Sequence, residues 1–582
     1  MEKRWDLQEP INLEFQNKYP EIPNLVLQLL YNRGLKEEKE INQFLNPEYD
    51  QDLLDPFLFP EMEKAVERIY QAVNNQEKIV IHGDYDADGV TSTVLLANVF
   101  KELNADFEIY IPHREKEGYG LSSKTVKYFK KQKISLVITV DCGISNDKEV
   151  ELAKKYNIDF IITDHHHEPK KLPAAYAIIN PKVKKCKYPF KNLAGVGVAF
   201  KLAQGIIRQD KNKIFAYGYE KWLLDLVAIG TVADIMPLVG ENRTLVKYGL
   251  IVLNKTKRIG VKMLAQKAGI WPVTENVLMN SDNIGFILGP RLNAAGRMDH
   301  ANTAYQLLIT EDKQEAEKLV AQLENNNQQR QRLTEKIIEE VKNIIEKEKK
   351  QYLIIVEGKN WPLGIIGLAA SRLKDIYNLP IFIISKLKSK YVSSGRSIPE
   401  FNMIEALDQV EELFEVYGGH AGAAGFTLKK NTKLEDFKKQ LFKIAQRELK
   451  GKDLRPRLEI DASLDLEDLN WEMYDQIEKF EPFGAANAKP IFLVKNLIVE
   501  TVRPVGQDDK HLKLLLKQEG LAKSVAAIAF RMGEWVDNLS YGEKIDVVAE
   551  ISLNEFNGTR NLELQIIDIK KIKDHKIKKQ IR

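Results

Sequence analysis

Lys78-Ile79-Val80-Ile81-His82-Gly83-Asp84-Tyr85-Asp86-Ala87-Asp88-Gly89 decides how this chain reads. The apolar triplet Ile79-Val80-Ile81 is a short buried strand by its length and β-branched content. An imidazole and three carboxylates follow at its end, where packing has no use for them. Downstream, Phe160-Ile161-Ile162-Thr163 runs straight into Asp164-His165-His166-His167. Charges gathered at the ends of buried strands need partners, and metal ions are the partners that suit carboxylates and imidazoles together.

Outward from that strand the pattern alternates. A helix is predicted over 61–74, a strand over 78–82 and a second helix over 90–103. Further strands are predicted over 107–111, 136–141, 160–163 and 177–179, and helices over 221–300. Short β-rich runs between helices imply a parallel, doubly wound sheet. Residues 1–60 read as a separate helical and loop-like segment punctuated by Pro47, Pro56 and Pro60, so the first α/β unit takes 61–310. Residues 311–350 are nearly all helix formers and read as a charged helical connector. A second α/β unit occupies 351–452, with strands at 352–356 and 380–384 and the glycine-rich run Gly418-Gly419-His420-Ala421-Gly422-Ala423-Ala424-Gly425 near its end. Over 453–570 the texture is antiparallel β, with Asn557-Gly558 as a hairpin turn between strands at 544–551 and 561–569. A small OB-type barrel fits this texture, as would other small β folds.

Composition sets limits. The chain has 582 residues, 44% apolar and 29% charged, enough for about three or four domains. A net charge of +3 rules out a polycation, so any nucleic-acid surface is a local groove. The tail 571–582 is basic (with Lys570 before it, Lys571, Lys573, Lys576, Lys578, Lys579 and Arg582 against Asp574) and reads as a solvated end. Cys142 and Cys186, without CxxC spacing, exclude a disulfide framework and a thiolate zinc site and fit a reducing compartment. The N-terminus has no apolar stretch behind its charges, and a soluble cytoplasmic protein is expected.

Two rival readings of residues 84–89 fail. An EF-hand loop starts D-x-D-x-D-G, but its twelfth position is Leu95 where a bidentate Glu is required. A D-x-D-G-V phosphotransfer motif, with Asp86 as covalent nucleophile, leaves Asp141 and the histidines unexplained. Asp141 ends the strand 136–140 and on its own reads equally as a helix N-cap. Asp234 ends an otherwise apolar helix, 226–237. Asp86, Asp88, Asp141 and Asp234 together carry four negative charges, which two divalent cations cancel. Oxygen and imidazole ligands without thiolate suit Mn²⁺ or Mg²⁺, with Mn²⁺ favoured by the imidazoles. Two such ions about 3.5–4 Å apart are a common device for phosphoryl chemistry.

These runs resemble the DHH/DHHA1 phosphoesterase superfamily, named for the motif at Asp164-His165-His166, and within it the exonucleases specific for single-stranded DNA. The resemblance covers nearly the whole chain. It rests on Arg33-Gly34, Phe44-Leu45-Asn46-Pro47, the run from His82 to Gly89, Ile111-Pro112-His113-Arg114 and Val140-Asp141-Cys142-Gly143. It continues in Gly230-Thr231-Val232-Ala233-Asp234, Gly289-Pro290-Arg291-Leu292-Asn293-Ala294-Ala295-Gly296-Arg297 and Gly418-Gly419-His420-Ala421-Gly422. It implies a multidomain α/β fold: a parallel-sheet DHH domain, a helical connector, a DHHA1 domain and a C-terminal OB-type barrel.

The resemblance also implies roles. His82, Asp86 and Asp141 would hold one cation, and Asp88, Asp141, His165 and Asp234 the other. His166 would face the scissile phosphate, with Asp84 and Asp164 orienting the ligands. Arg114, Ser394 and Arg396 would take a 5′-terminal phosphate, Arg291 and Arg297 would guide the strand, and Gly419 and His420 would contact substrate. The implied activity is 5′→3′ hydrolysis of single-stranded DNA to 5′-mononucleotides in repair and recombination. Single-strand binding protein and a helicase are the implied partners, with no membrane and a monomeric chain. Two features depart from the pattern: a third histidine, His167, and Ala486 where relatives often carry glycine.

Overall fold

Five parallel strands form the first sheet, in the order Phe107–Tyr110, Ile79–Gly83, Leu136–Val140, Asp159–Thr163, Ala177–Ile179. From Ile79–Gly83 the chain moves to one neighbour, Phe107–Tyr110, and then crosses to the other, Leu136–Val140. Strand order therefore reverses between Ile79–Gly83 and Leu136–Val140. Ligands of open α/β sheets bind beyond the carboxyl ends of strands at such a reversal; residues 84–89 and Asp141 follow those two strands, and Asp164-His165-His166 follows the next one, Asp159–Thr163. The helix Met62–Asn74 packs through Met62, Ala65, Val66, Ile69 and Ala72, one face at helical spacing. The helix Ala87–Glu102 is buried nearly all round and belongs to the same core as the helices Gly195–Arg208 and Leu224–Ala233.

This computed structural model describes residues 2–272, 278–347, 351–388, 390–556 and 559–572. The chain divides into two compact units, Tyr49–Leu454 and Met1–Glu48 with Arg455–Arg582. The segment 1–60 is thus split rather than separate. Its strand Arg4–Leu7, missed in the sequence, pairs in parallel with Arg457–Ile460. Arg33 explains one N-terminal motif: its Nε donates to Asn487 Oδ1 at 2.8 Å and its Nη2 to Ala488 O at 2.6 Å. Phe44 explains another, packing edge-on against Phe480 at 5.3 Å between ring centres.

Within Tyr49–Leu454, one helix of 33 residues, Lys313–Ile345, spans the connector, about 50 Å at 1.5 Å per residue. The second sheet runs in the order Phe414–His420, Ala423–Leu428, Lys390–Arg396, Ile381–Leu387, Ile354–Lys359. Its glycine-rich run, residues 418–425, forms regular strand pairs. Gly418 pairs with Gly425 and His420 with Ala423, so the run is an antiparallel hairpin at the sheet edge.

In the other unit, Phe492–Val505, His511–Gln518, Ser524–Ala529, Thr559–Lys571 and Lys544–Phe556 pair in that order, and Lys544–Phe556 pairs back onto Phe492–Val505. This closes a five-stranded barrel, antiparallel except for one parallel pair, Ser524–Ala529 with Thr559–Lys571. It is the OB arrangement. Lys570 and Lys571 belong to its last strand rather than to a tail: Lys570 Nζ lies 4.1 Å from the centre of the Trp5 ring, and Lys571 pairs with Glu543 at 2.8 Å. The expected turn Asn557-Gly558 and the tail from Lys573 onward lie outside the described residues.

Candidate active site

The helix Ala87–Glu102 begins three residues before its predicted start because Asp86 caps it. Asp86 Oδ1 accepts from the N–H groups of Asp88 and Gly89, each at 3.0 Å. Asp88 falls in the first helical turn and is fully buried. Its two oxygens accept from the amides opening the helix Gly195–Arg208, Gly195 at 2.7 Å and Val196 at 2.8 Å. Asp141 leaves its strand with φ +59°, a left-handed turn that non-glycine residues reach only at a cost. A Cβ on Gly195 would lie 2.5 Å from Asp141 Oδ1, so only glycine lets that helix approach the carboxylate.

His165 Nε2 joins the two halves of the site. It lies 3.1 Å from Asp141 Oδ1, 3.6 Å from Asp234 Oδ2 and 3.9 Å from Asp88 Oδ2. The 3.1 Å approach lacks hydrogen-bond geometry, and Asp141 Oδ1 remains a buried acceptor without a donor. Asp84 Oδ1, His82 Nε2 and His165 Nδ1 are likewise buried and unpartnered. Three sets of side chains converge closely enough to share an ion: Asp84, Asp86 and Asp141; Asp88, His165 and Asp234; Asp141, His165 and His166.

Electrostatics point the same way. Burial, compounded by neighbouring carboxylates, pushes Asp84, Asp88 and Asp141 well above the usual range and Asp234 to about 7. Burial pulls His82 down to about 4 and His165 to about 3, leaving neutral imidazoles with lone pairs. Carboxylates that resist ionisation beside imidazoles that resist protonation fit divalent cations, which satisfy both.

Asp164 and His166 differ from the rest. Burial opposes the Asp164 charge, but hydrogen bonds hold it low: from His166 Nδ1 at 2.8 Å, and from the amides of Ile144, His165 and His166 at 2.7–3.0 Å. Against the cost of its own burial, His166 is raised by that same bond and by the Asp164 charge. His166 remains accessible, its side chain 45% exposed.

Asp88, Asp141, His165 and Asp234 come together. Asp84 joins Asp86 and Asp141, a place the sequence reading reserved for His82. His82 sits behind them, its Nδ1 3.6 Å from Cys142 Sγ. His167 is set apart, its ring 6.1 Å from that of His420 on the hairpin. Arg114 lies over the Tyr85 ring at 4.7 Å. Arg396 Nη1 donates to Ser394 Oγ at 3.2 Å. Arg297 donates to Gly364 O at 3.0 Å, and burial together with the charges of Arg114 and Arg330 lowers it to about 10. Arg291 does not join them: Glu324 holds its Nε at 2.8 Å and Ile287 O its Nη1 at 3.0 Å. A Cβ on Gly419 would lie 2.3 Å from Ala423 O, so that position tolerates only glycine.

Several contributors escaped the sequence reading. The Tyr119 hydroxyl lies 3.2 Å from Asp141 O and 3.1 Å from His166 Nδ1. Asn180 Nδ2 donates to His166 O at 2.9 Å. Asn293 Oδ1 accepts from the Ala87 amide at 2.8 Å and so ties residues 289–297 to the acidic loop. The Gly195 and Val196 amides had a readable signal, a glycine-rich helix start suited to an anion. Tyr119 and Asn180 had none.

Family models match residues 78–231 (DHH family, N-terminal domain), 349–447 (DHHA1 domain) and 460–568 (RecJ OB domain). The single-stranded-DNA-specific exonuclease RecJ of Bacillus subtilis is 38% identical over 570 residues, covering 97% of this chain and 70% of that protein. RecJ of Escherichia coli is 32% identical, covering 94% of this chain and 96% of that protein. RecJ from Thermus thermophilus solved with Mn²⁺ superposes with a TM-score of 0.82 at 27% identity, over 98% of this chain and 80% of that one. Its Mg²⁺ complex gives a TM-score of 0.75 at 26% identity, over 98% and 79%. Three domain models in family order, and relatives 32–38% identical over 94–97% of this chain, place it in the RecJ family of single-stranded-DNA-specific exonucleases.

Proposed function

We propose that this protein degrades single-stranded DNA from the 5′ end, hydrolysing phosphodiester bonds and releasing 5′-mononucleotides. The observation that carries the reading is the pair of adjoining ligand sets, Asp84/Asp86/Asp141 and Asp88/His165/Asp234, with unpartnered buried atoms in both. Two divalent cations, Mn²⁺ or Mg²⁺, would supply there an activated water and charge neutralisation at phosphorus. Asp141 would bridge them, and His82, through its buried Nε2, would complete the first set.

The remaining groups act on the strand. His166, anchored by Asp164 and raised in proton affinity, donates to a phosphate oxygen as charge develops. Arg114, Arg396 and Ser394 take the 5′-terminal phosphate, for which a fork-shaped guanidinium is suited. Arg297 steadies the next phosphate, and Gly419 and His420 meet the strand from the hairpin. A pocket for the terminal phosphate sets the scissile bond one nucleotide inward, which explains end-dependence. The barrel grips single strands by charge and stacking. Single-strand binding protein and a helicase are the expected partners of a monomeric cytoplasmic enzyme in repair and recombination. Among the described residues no helix is long and apolar enough to cross a membrane.

A 5′-labelled single strand incubated with Mn²⁺, wild type beside Asp141→Ala, tests this. Mononucleotides from wild type and none from the variant are expected. A wild-type protein that cleaves only dinucleotides, or a fully active variant, overturns the reading.

A further inference from the structure

The strand Ala423–Leu428 carries the catalytic-side hairpin at one end and runs at the other into Lys429-Lys430-Asn431-Thr432-Lys433 and the helix Leu434–Leu449. Lys433 is the N-cap of that helix and offers it no side-chain hydrogen bond. A cation there adds to the positive end of the helix dipole instead of offsetting it. Lys439 and Lys443 follow on the helix one turn apart, a like-charge spacing that costs a few tenths of a kcal/mol. Glu435 and Asp436 in the first turn suit that end of the dipole; Lys433 does not.

The lysines converge on one cavity of about 600 Å³, lined by Lys429, Lys430, Lys433, Lys439 and Lys443 with Asp436 as the single carboxylate. Lys429 is engaged by Glu412 O at 2.7 Å. Among the described residues no carboxylate lies within ion-pair distance of Lys430, Lys433, Lys439 or Lys443. A cavity of about 360 Å³ elsewhere mixes the two signs, setting Glu102, Asp225 and Glu311 against Lys257 and Arg258.

We propose that this cavity is a second phosphate-binding surface, taking the backbone of the nucleic-acid strand beyond the candidate active site. It commits to nucleic acid because the strand leading into it ends, on its other side, in the His420 hairpin beside His167. The six residues of Ala423–Leu428 separate the two by about 20 Å at ~3.4 Å per residue. At ~3.4 Å per nucleotide of a stacked strand, about six nucleotides bridge that distance. Lysine recognises phosphate as a point charge, so the contact is indifferent to sequence.

The inference rests on the single-strand reading above, and its test separates the two. KM and kcat are measured on a 5′-phosphorylated tetranucleotide and on a 40-mer, for wild type and Lys430→Glu/Lys433→Glu/Lys439→Glu. A milder variant, Lys430→Gln/Lys439→Gln/Lys443→Gln, serves if charge reversal impairs folding, judged by thermal unfolding. The expected result is a roughly tenfold higher KM on the 40-mer, unchanged kcat and unchanged kinetics on the tetranucleotide. The slope of log affinity against log salt should shrink by about 2, near 0.7 per lysine lost. An unchanged KM and salt slope on the 40-mer in both variants overturns the second surface. So does loss of binding to poly-glutamate with DNA affinity intact, which would mark an acidic protein as the occupant. Failure of wild type to cleave either oligonucleotide would sink the single-strand reading instead.

Discussion

The parallel sheet of Tyr49–Leu454 and the closed barrel of the other unit deal with strand ends in opposite ways. The sheet is open, and where its strand order reverses, Ile79–Gly83 and Leu136–Val140 deliver His82, the acidic loop and Asp141 to one point. The barrel closes on itself through Phe492–Val505 and Lys544–Phe556 and has no such point. It offers surface instead: Phe530 is 53% exposed and Tyr541 84%. The open parallel sheet concentrates buried charged groups at one point, whereas the closed barrel exposes aromatic side chains on its surface.

The sharpest break of that contrast is Asp141→Asn. Removing the carboxylate proposed to bridge the two cations should cut kcat by about 10³-fold, the upper range for losing one preorganised charge-stabilising group. A steady-state assay on labelled single strands checks it. Next comes Asp164→Asn, which leaves the ligands in place but loosens His166. The expected loss is about 10- to 100-fold in activity, with KM nearly unchanged. On the barrel the split reverses: Phe530→Ala with Tyr541→Ala should raise KM on long single strands by roughly thirtyfold, the low end of 1–3 kcal/mol for each of two stacked bases, at constant kcat. A fall in kcat there would erase the distinction between the two regions.

The same contrast was uneven in the sequence. The acidic runs were legible because charge at the end of an apolar strand admits few explanations. Asp84 was harder to place: its proximity to Asp141 depends on the tight loop in which a Cβ on Gly89 would lie 2.6 Å from Asp84 O. Tyr119 and Asn180 were invisible, since each acts through a fold-dependent approach to His166. Arg291 looked identical in kind to Arg297, and the partners that the fold brings to each, Glu324 and Gly364 O, distinguish them. The barrel was legible as texture alone, and the partnership of Arg4–Leu7 with Arg457–Ile460 had no local signal.

A smaller effect comes from pH. Burial, with the Asp86 charge next, holds Asp234 at about 7 in the ion-free protein. There it binds a proton that the unfolded chain has released by about pH 4, so stability of the ion-free protein falls as pH rises from about 4 to 7. Unfolding midpoints at pH 5 and 8, with a chelator and then with Mn²⁺, should show that slope vanish or reverse when the ion binds. The smallest effect lies in the barrel unit, where Ala486 has φ +58°. Ala486→Gly should stabilise by up to about 1–2 kcal/mol by relieving that left-handed alanine, read from denaturant unfolding.

The most direct test follows the label itself. A single strand carrying its label on the 5′ phosphate is digested with Mn²⁺ beside the same strand in a blunt duplex, and products are resolved over the first turnovers. Immediate release of the label as 5′-mononucleotide from the single strand, with the duplex intact, is expected. Label retained on long fragments, or equal digestion of the duplex, would contradict the single-strand reading.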